Sequence, residues 1–293
     1  MTTIYIAAAQ YDISYFQNLT EFEQKLERWV KEAAQQGAQL LVFPEYASLE
    51  LCSLLDKPLQ SDLQGQLHAL QDYLAHFLEV HQRLAQSYQV TLVAGSFPVK
   101  TTLQDQSVFV NRSHVIHPNG TVDFQDKQIM TRFENEEWFI AAGTEIKVID
   151  TAVGKIGISI CYDSEFPLIA RRQIELGADF IVVPSVTETL HGYYRVKIGS
   201  QARALENQCY VIHAPLVGEA PWSLAADISR GCAGIYTPVD HGFPANGILA
   251  QGELDKAMWV YAELDLAKTQ AVRTQGHVLN FRDWDRQRLR LAD

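Results

Sequence analysis

Three residues in this chain pair a chemically useful side chain with a position that a fold would hold fixed. Cys161 closes the apolar run KIGISIC, where a buried strand gives way to a helix. Helix N-termini carry unpaired N–H groups and partial positive charge, and both favour a thiolate over a thiol. Glu45 follows the apolar run LLVF through Pro44. A carboxylate buried there without a partner is costly, or its pKa rises, which suits a general base and acid near neutral pH. Lys127 ends the segment VDFQDK and could supply a fixed positive charge beside a nucleophile or an oxyanion. Taken singly, each has an ordinary alternative: a buried structural thiol, a surface turn or helix cap, a solvated strand end. Cys52, Cys209 and Cys232 keep the structural reading.

The elements around these residues follow from hydrophobic periodicity. Residues 3–9 read as a buried strand and 20–36 as a helix, with Thr20 and Glu23 at capping-box spacing and Gly37 placed to end it. Residues 39–43 form the strand that delivers Glu45. A long helical pattern covers 62–87, and a strand covers 90–95. Residues 107–116 and 121–126 alternate about His117-Pro118-Asn119-Gly120, a β-hairpin with an Asn-Gly signal. A second hairpin, 146–150 with 155–161, ends at the cysteine. The spacing then predicts a helix over 166–176, a strand over 180–184, a helix near 194–206, and strands at 209–215, 233–237 and 258–263. Alternating helices and buried strands, interrupted by hairpins, give a layered α/β fold with a mixed sheet. No repeat or linker divides the chain, so one domain over residues 1–293 is expected, with a partly helical polar tail from about 266.

Composition narrows the function classes. The net charge of -11 opposes sequence-general nucleic-acid binding, which neutralises phosphates with basic residues. Four widely spaced cysteines with no CxxC pair suggest free thiols in a reducing compartment. The N-terminus lacks a basic region, and no uninterrupted apolar stretch is long enough for a membrane span. A cytoplasmic protein with no membrane partner is expected.

Three segments in order resemble the nitrilase superfamily, the carbon–nitrogen hydrolases: FPE at 43–45, DKQIMTRFENEEW at 126–138 and GKIGISICYDSEFP at 154–167. ARALENQCYV at 202–211 resembles the helix-to-strand segment that follows the nucleophile in that family. The resemblance implies a nitrilase-type α-β-β-α sandwich of two mixed β-sheets flanked by helices. It implies a cysteine nucleophile at Cys161, a proton carrier at Glu45 and an oxyanion partner at Lys127. A second family glutamate falls within Glu134-Asn135-Glu136-Glu137-Trp138. Glu136 is the choice by its spacing to Trp138 and Gly143, with Glu134 the alternative. Tyr162, Trp138 and Thr187 are expected to bind substrate.

The implied activity is hydrolysis of small amides through a cysteine thioester, with no metal or organic cofactor, in at least a homodimer. Tyr162-Asp163 after the cysteine resembles amidases and carbamoylases, whereas nitrilases usually carry Trp-Glu. Ser164 and Glu165 stand where many amidases of this type place an arginine. N-carbamoyl hydrolysis, nitrile hydrolysis and acyl transfer use the same triad and stay open. A papain-like cysteine–histidine pair with His191 or His213 is a rival from the same broad class, and a non-enzymatic scaffold or binding protein a rival from a different one.

Overall fold

The computed structural model describes residues 3–288. In chain order the strands are β1 (Thr3–Asp12), β2 (Leu40–Val42), β3 (Thr91–Leu103), β4 (Gln106–Ile116), β5 (Val122–Asp126), β6 (Ile140–Ala141), β7 (Val148–Thr151), β8 (Gly154–Ile158), β9 (Phe180–Ser185), β10 (Tyr210–Glu219), β11 (Ile228–Ser229), β12 (Gly234–Tyr236), β13 (Ile248–Gln251) and β14 (Met258–Asp265). The helices are α1 (Leu19–Gln35), α2 (Lys57–Gln60), α3 (Leu63–Tyr88), α4 (Arg132–Glu136), α5 (Pro167–Glu175), α6 (Leu190–Asn207), α7 (Leu266–Gln275) and α8 (Asn280–Arg288). Two 3₁₀ segments, Ala47–Leu54 and Cys161–Glu165, follow β2 and β8.

The strands form two mixed halves, β5-β4-β3-β2-β1 and β10-β9-β8-β7. Along Thr3–Gln10, β1 pairs antiparallel with β14. Only at Tyr11 and Asp12 does it pair with β10. The halves therefore touch at one end of β1 and diverge elsewhere into two layers. Side chains of β1 alternate accordingly. Ala7, Ala9 and Tyr11 pack with the buried faces of α1 and α3. Ile4, Ile6 and Ala8 join Ile158, Val182 and Ile212 of the other half, which also meets α5 and α6. The result is helices, sheet, sheet, helices.

Local departures from the sequence reading have identifiable causes. The cap of α1 is Asn18, whose side chain accepts from Glu21 N–H while Glu21 accepts from Gln17 N–H, so the pattern starts two residues before Thr20. β3 runs on to Leu103 through a register shift between Val93 and Ser96. It turns into β4 through Gln104 and Asp105, both at positive φ (48° and 63°), a primed hairpin loop without the usual Asn-Gly. Helix α6 starts at Leu190 because the Thr189 hydroxyl caps Gly192 N–H. Past Asp265, α7 and α8 fold back on the molecule: Arg171 of α5 lies over the Phe281 ring, 4.7 Å from its centre. Among the described residues no helix is long and apolar enough to cross a membrane.

Candidate active site

Glu45, Lys127 and Cys161 come from three separate chain segments and meet at one cavity of about 530 Å³, within the range of small-molecule sites. Glu45 leaves β2 at a turn that the protein fixes tightly. Tyr46 adopts a left-handed φ of 56°, and its N–H donates to the Ser96 hydroxyl at 3.0 Å. The adjacent Gly95 of β3 has φ 69°, and a Cβ there would run into the Pro44 carbonyl. Only glycine lets β3 approach this turn so closely.

Lys127 sits one residue beyond β5, where its backbone N–H donates to the Asn111 carbonyl at 2.9 Å. Its Nζ donates to Glu45 Oε1 at 2.8 Å and to Glu134 Oε2 at 2.6 Å. All three side chains are buried, at 1%, 1% and 3% exposure. Asn111 Nδ2 donates to both carboxylates, Glu45 at 2.8 Å and Glu134 at 3.1 Å. Glu134 also accepts from the Tyr46 hydroxyl at 3.0 Å and from the Thr131 N–H and hydroxyl, each at 2.9 Å.

This corrects the expectation at Glu136. That residue lies on the outside of α4, half-exposed, and pairs with Arg132 at 2.7 Å. Glu134 holds the lysine instead. The signal was in the sequence: Thr131-Arg132-Phe133-Glu134 has capping-box spacing, and the structure forms that box. Asn111, in the interior of β4, was also missed. A residue type that disfavours strands, standing within an otherwise good strand, was its mark.

The two carboxylates that flank one ammonium are not equivalent. Burial lifts Glu45 above the usual carboxylate range, opposed by Lys127 and reinforced by the nearby charge of Glu134. Glu134 feels the same burial, but Lys127 and the Thr131 donors outweigh it and hold its carboxyl below that range. Paired carboxylates whose environments push them apart divide proton carrying from charge fixing. Lys127 is held well above its ordinary value: burial opposes the charge, but Glu134 and Glu45 overcome it.

Cys161 opens the 3₁₀ segment at a positive φ of 49°, a sparsely populated conformation for a residue with a side chain. Its sulfur lies 3.4 Å from the Val186 carbonyl. The N–H of the same Val186 donates to Glu45 Oε2 at 2.9 Å. One residue after β9, Val186, thus touches both groups, one through each side of its backbone. The local bias toward a thiolate at this turn is opposed by the wider surroundings. Burial and the neighbouring Glu45 charge raise the thiol well above its ordinary pKa, and Lys127 offsets only part of this. Asp163 ties the cysteine turn to the lysine loop by accepting from the N–H groups of Gln128 (3.1 Å), Ile129 (2.8 Å) and Ile160 (3.2 Å). Burial raises this carboxyl to about 7.

Tyr162, Trp138 and Thr187 all border the cavity. Trp138 is fully buried behind Tyr46, with ring centres 5.0 Å apart, and its indole N–H is engaged by the Leu63 carbonyl at 3.3 Å. The Thr187 hydroxyl donates to the Arg230 carbonyl at 2.8 Å, so it secures the wall loop. His213 is buried, its Nε2 2.7 Å from the Ser185 hydroxyl, and burial lowers it to about 3. His191 is exposed. Neither histidine borders the cavity around Cys161, which removes the cysteine–histidine rival.

The carbon–nitrogen hydrolase family model matches residues 5–274. The chain belongs to the carbon–nitrogen hydrolase family. It is 33% identical over 279 residues to the probable hydrolase YhcX of Bacillus subtilis, covering 95% of this chain but 53% of that protein. This chain thus spans about half the length of that relative. It is 30% identical over 226 residues to the deaminated glutathione amidase of Synechocystis, covering 71% of this chain and 76% of the relative. The fold of this carbon–nitrogen hydrolase superposes on crystalline Nit3 of Saccharomyces cerevisiae, a member of branch 10 of the nitrilase superfamily. The TM-score is 0.72 at 22% identity, over 93% of both chains.

Proposed function

We propose that this carbon–nitrogen hydrolase cleaves small amides through a thioester on Cys161. One observation carries the reading: a buried thiol and a buried carboxylate that meet at the same residue, Val186, with a fully buried ammonium between that carboxylate and a second one. Glu45 takes the thiol proton as the sulfur attacks the amide carbon. The oxyanion is met by Lys127 and by the Tyr162 N–H near the start of the short turn that Cys161 opens. Glu45 then returns the proton to the departing nitrogen, and ammonia or an amine leaves. Water, deprotonated by Glu45, attacks the thioester carbon; the C–S bond breaks, the acid leaves, and Glu45 returns the proton to the Cys161 sulfur. Glu134 stays ionised throughout and fixes the ammonium. Paired with both carboxylates, Lys127 is a poor base and a stable cation, which suits it to the oxyanion role.

The test is ammonia release from matched amide and nitrile pairs of one carbon skeleton. Faster release from the amide member supports the reading, and faster release from most nitriles overturns it. We also propose that two chains pair through the outer faces of α5 and α6, where Leu168, Tyr194 and Ile198 are exposed.

A further inference from the structure

Resting on the amide-hydrolase reading, the cavity wall identifies a class of substrate. Glu165 closes the same 3₁₀ segment that Cys161 opens. At about 2 Å of rise per residue the two stand roughly 8 Å apart along it, a span that a short alkyl chain bridges. The backbone under Glu165 is locked. The Ser164 hydroxyl donates to the Cys161 carbonyl at 2.6 Å, and Arg203 donates to the Ser164 carbonyl at 3.2 Å. Gly199 of α6 lies so close that a Cβ there would meet the Ser164 carbonyl at 2.8 Å. The backbone that presents the carboxylate to the cavity is therefore fixed before any ligand arrives.

Its one cation partner among the described residues is Arg195 of α6, at 3.3 Å, and the two sides of this pair are unequal. The Glu165 side chain is 20% exposed, whereas that of Arg195 is 61% exposed. A long, solvated arginine can leave such a pair at little cost, while the carboxylate, on its fixed backbone, stays in the wall. The other charges bordering the cavity reinforce its sign. Arg132 is already paired with Glu136 on the outside of α4. Glu188 and Asp227, both exposed at the rim, have no cation partner among the described residues. Deeper in, Lys127 is outnumbered by Glu45 and Glu134. An anionic acyl chain would enter against like charge, and a cationic one would be drawn in.

We propose that Glu165 is a specificity-determining residue that selects amides whose acyl chain ends in a protonated amine, the substrate ammonium replacing the Arg195 guanidinium on its carboxylate. The test uses three primary amides of five carbons: 5-aminopentanamide (cation), pentanamide (neutral) and 4-carbamoylbutanoate (anion). The expected order of kcat/KM is cation, neutral, anion, with the cation-to-neutral ratio roughly two to five, the scale of one partly screened charge contact. Glu165→Gln should bring that ratio close to one. Arg195→Gln, which frees the carboxylate, should raise it above the wild-type value, and this second variant keeps the test open if Glu165→Gln folds poorly. A ratio at or below one in the wild type, or one that neither substitution moves, overturns the assignment. Turnover of the neutral amide alone shows that the reaction stands while the selectivity fails. No turnover of any of the three removes both.

Discussion

Replacing Glu134 by Gln, with Glu136→Gln as its partner experiment, tests how the site is held together. Lys127 is a buried ammonium with two carboxylate partners, at 2.8 Å and 2.6 Å, and almost no solvent. Removing one member of a buried ion pair costs about 3–5 kcal/mol, because the other charge is left uncompensated. Here Glu45 remains as counter-ion, so the lower end, about 3 kcal/mol, applies. For a chain of this size each kcal/mol shifts Tm by about 2–4 °C, which gives a loss of about 6–12 °C. The Glu136–Arg132 pair is an exposed i,i+4 contact, with side chains 52% and 86% exposed. Such pairs contribute a few tenths of a kcal/mol, so Glu136→Gln should move Tm by less than about 2 °C. Activity should divide the same way. Without Glu134, Glu45 becomes the sole partner of Lys127 and loses the like charge that raises its pKa. It is then a weaker base, and kcat/KM should fall by about tenfold or more, while Glu136→Gln stays within about twofold. Thermal melts and ammonia-release kinetics on both variants decide it. Equal Tm losses, or a larger activity loss from Glu136→Gln, would refute the division of roles between the two glutamates.

The remaining expectations concern the proton carrier, the thiol and the assembly. Since Glu45 acts in its ionised form and burial raises its pKa, kcat/KM should hold above that pKa and fall as pH drops through it. Glu45→Gln should cost about 10²–10⁴-fold and abolish this limb, and a limb that survives the substitution would assign it elsewhere. Iodoacetamide should label Cys161 first with loss of activity, since Cys161 borders the cavity whereas Cys52, Cys209 and Cys232 do not; labelling of any of those three in step with inactivation would move the nucleophile. Light scattering at micromolar concentration should give at least twice the 33.0 kDa chain mass, and Ile198→Glu on the exposed face of α6 should lower it; a wild-type monomer rules out the pairing.

Much of this site was legible in the chain because its functional groups stand next to elements with strong periodic signals. Apolar runs of period two located the strands, and the residues just past them, Glu45, Lys127 and Cys161, could be named without coordinates. The order of the three motifs supplied the family. What sequence spacing did not resolve was which of several neighbouring acids turns inward. Glu134 and Glu136 lie two positions apart on a one-turn helix, so their side chains point about 200° away from each other. Packing of α4 against Lys127, Tyr46 and Asn111 selects the first and leaves the second in water.

The same holds for charge state. The residues beside Cys161 in the chain favour a thiolate at a helix start, yet burial, together with Glu45 more than a hundred positions away, pushes the thiol pKa up. Asn111 and the Val186 peptide became parts of the site only when β4 and the segment after β9 were brought against Glu45. The sequence determined which chemical groups are present and at which strand ends they stand. The tertiary structure decided their partners, their solvent and therefore their protonation, because those depend on distances between segments that no local pattern encodes.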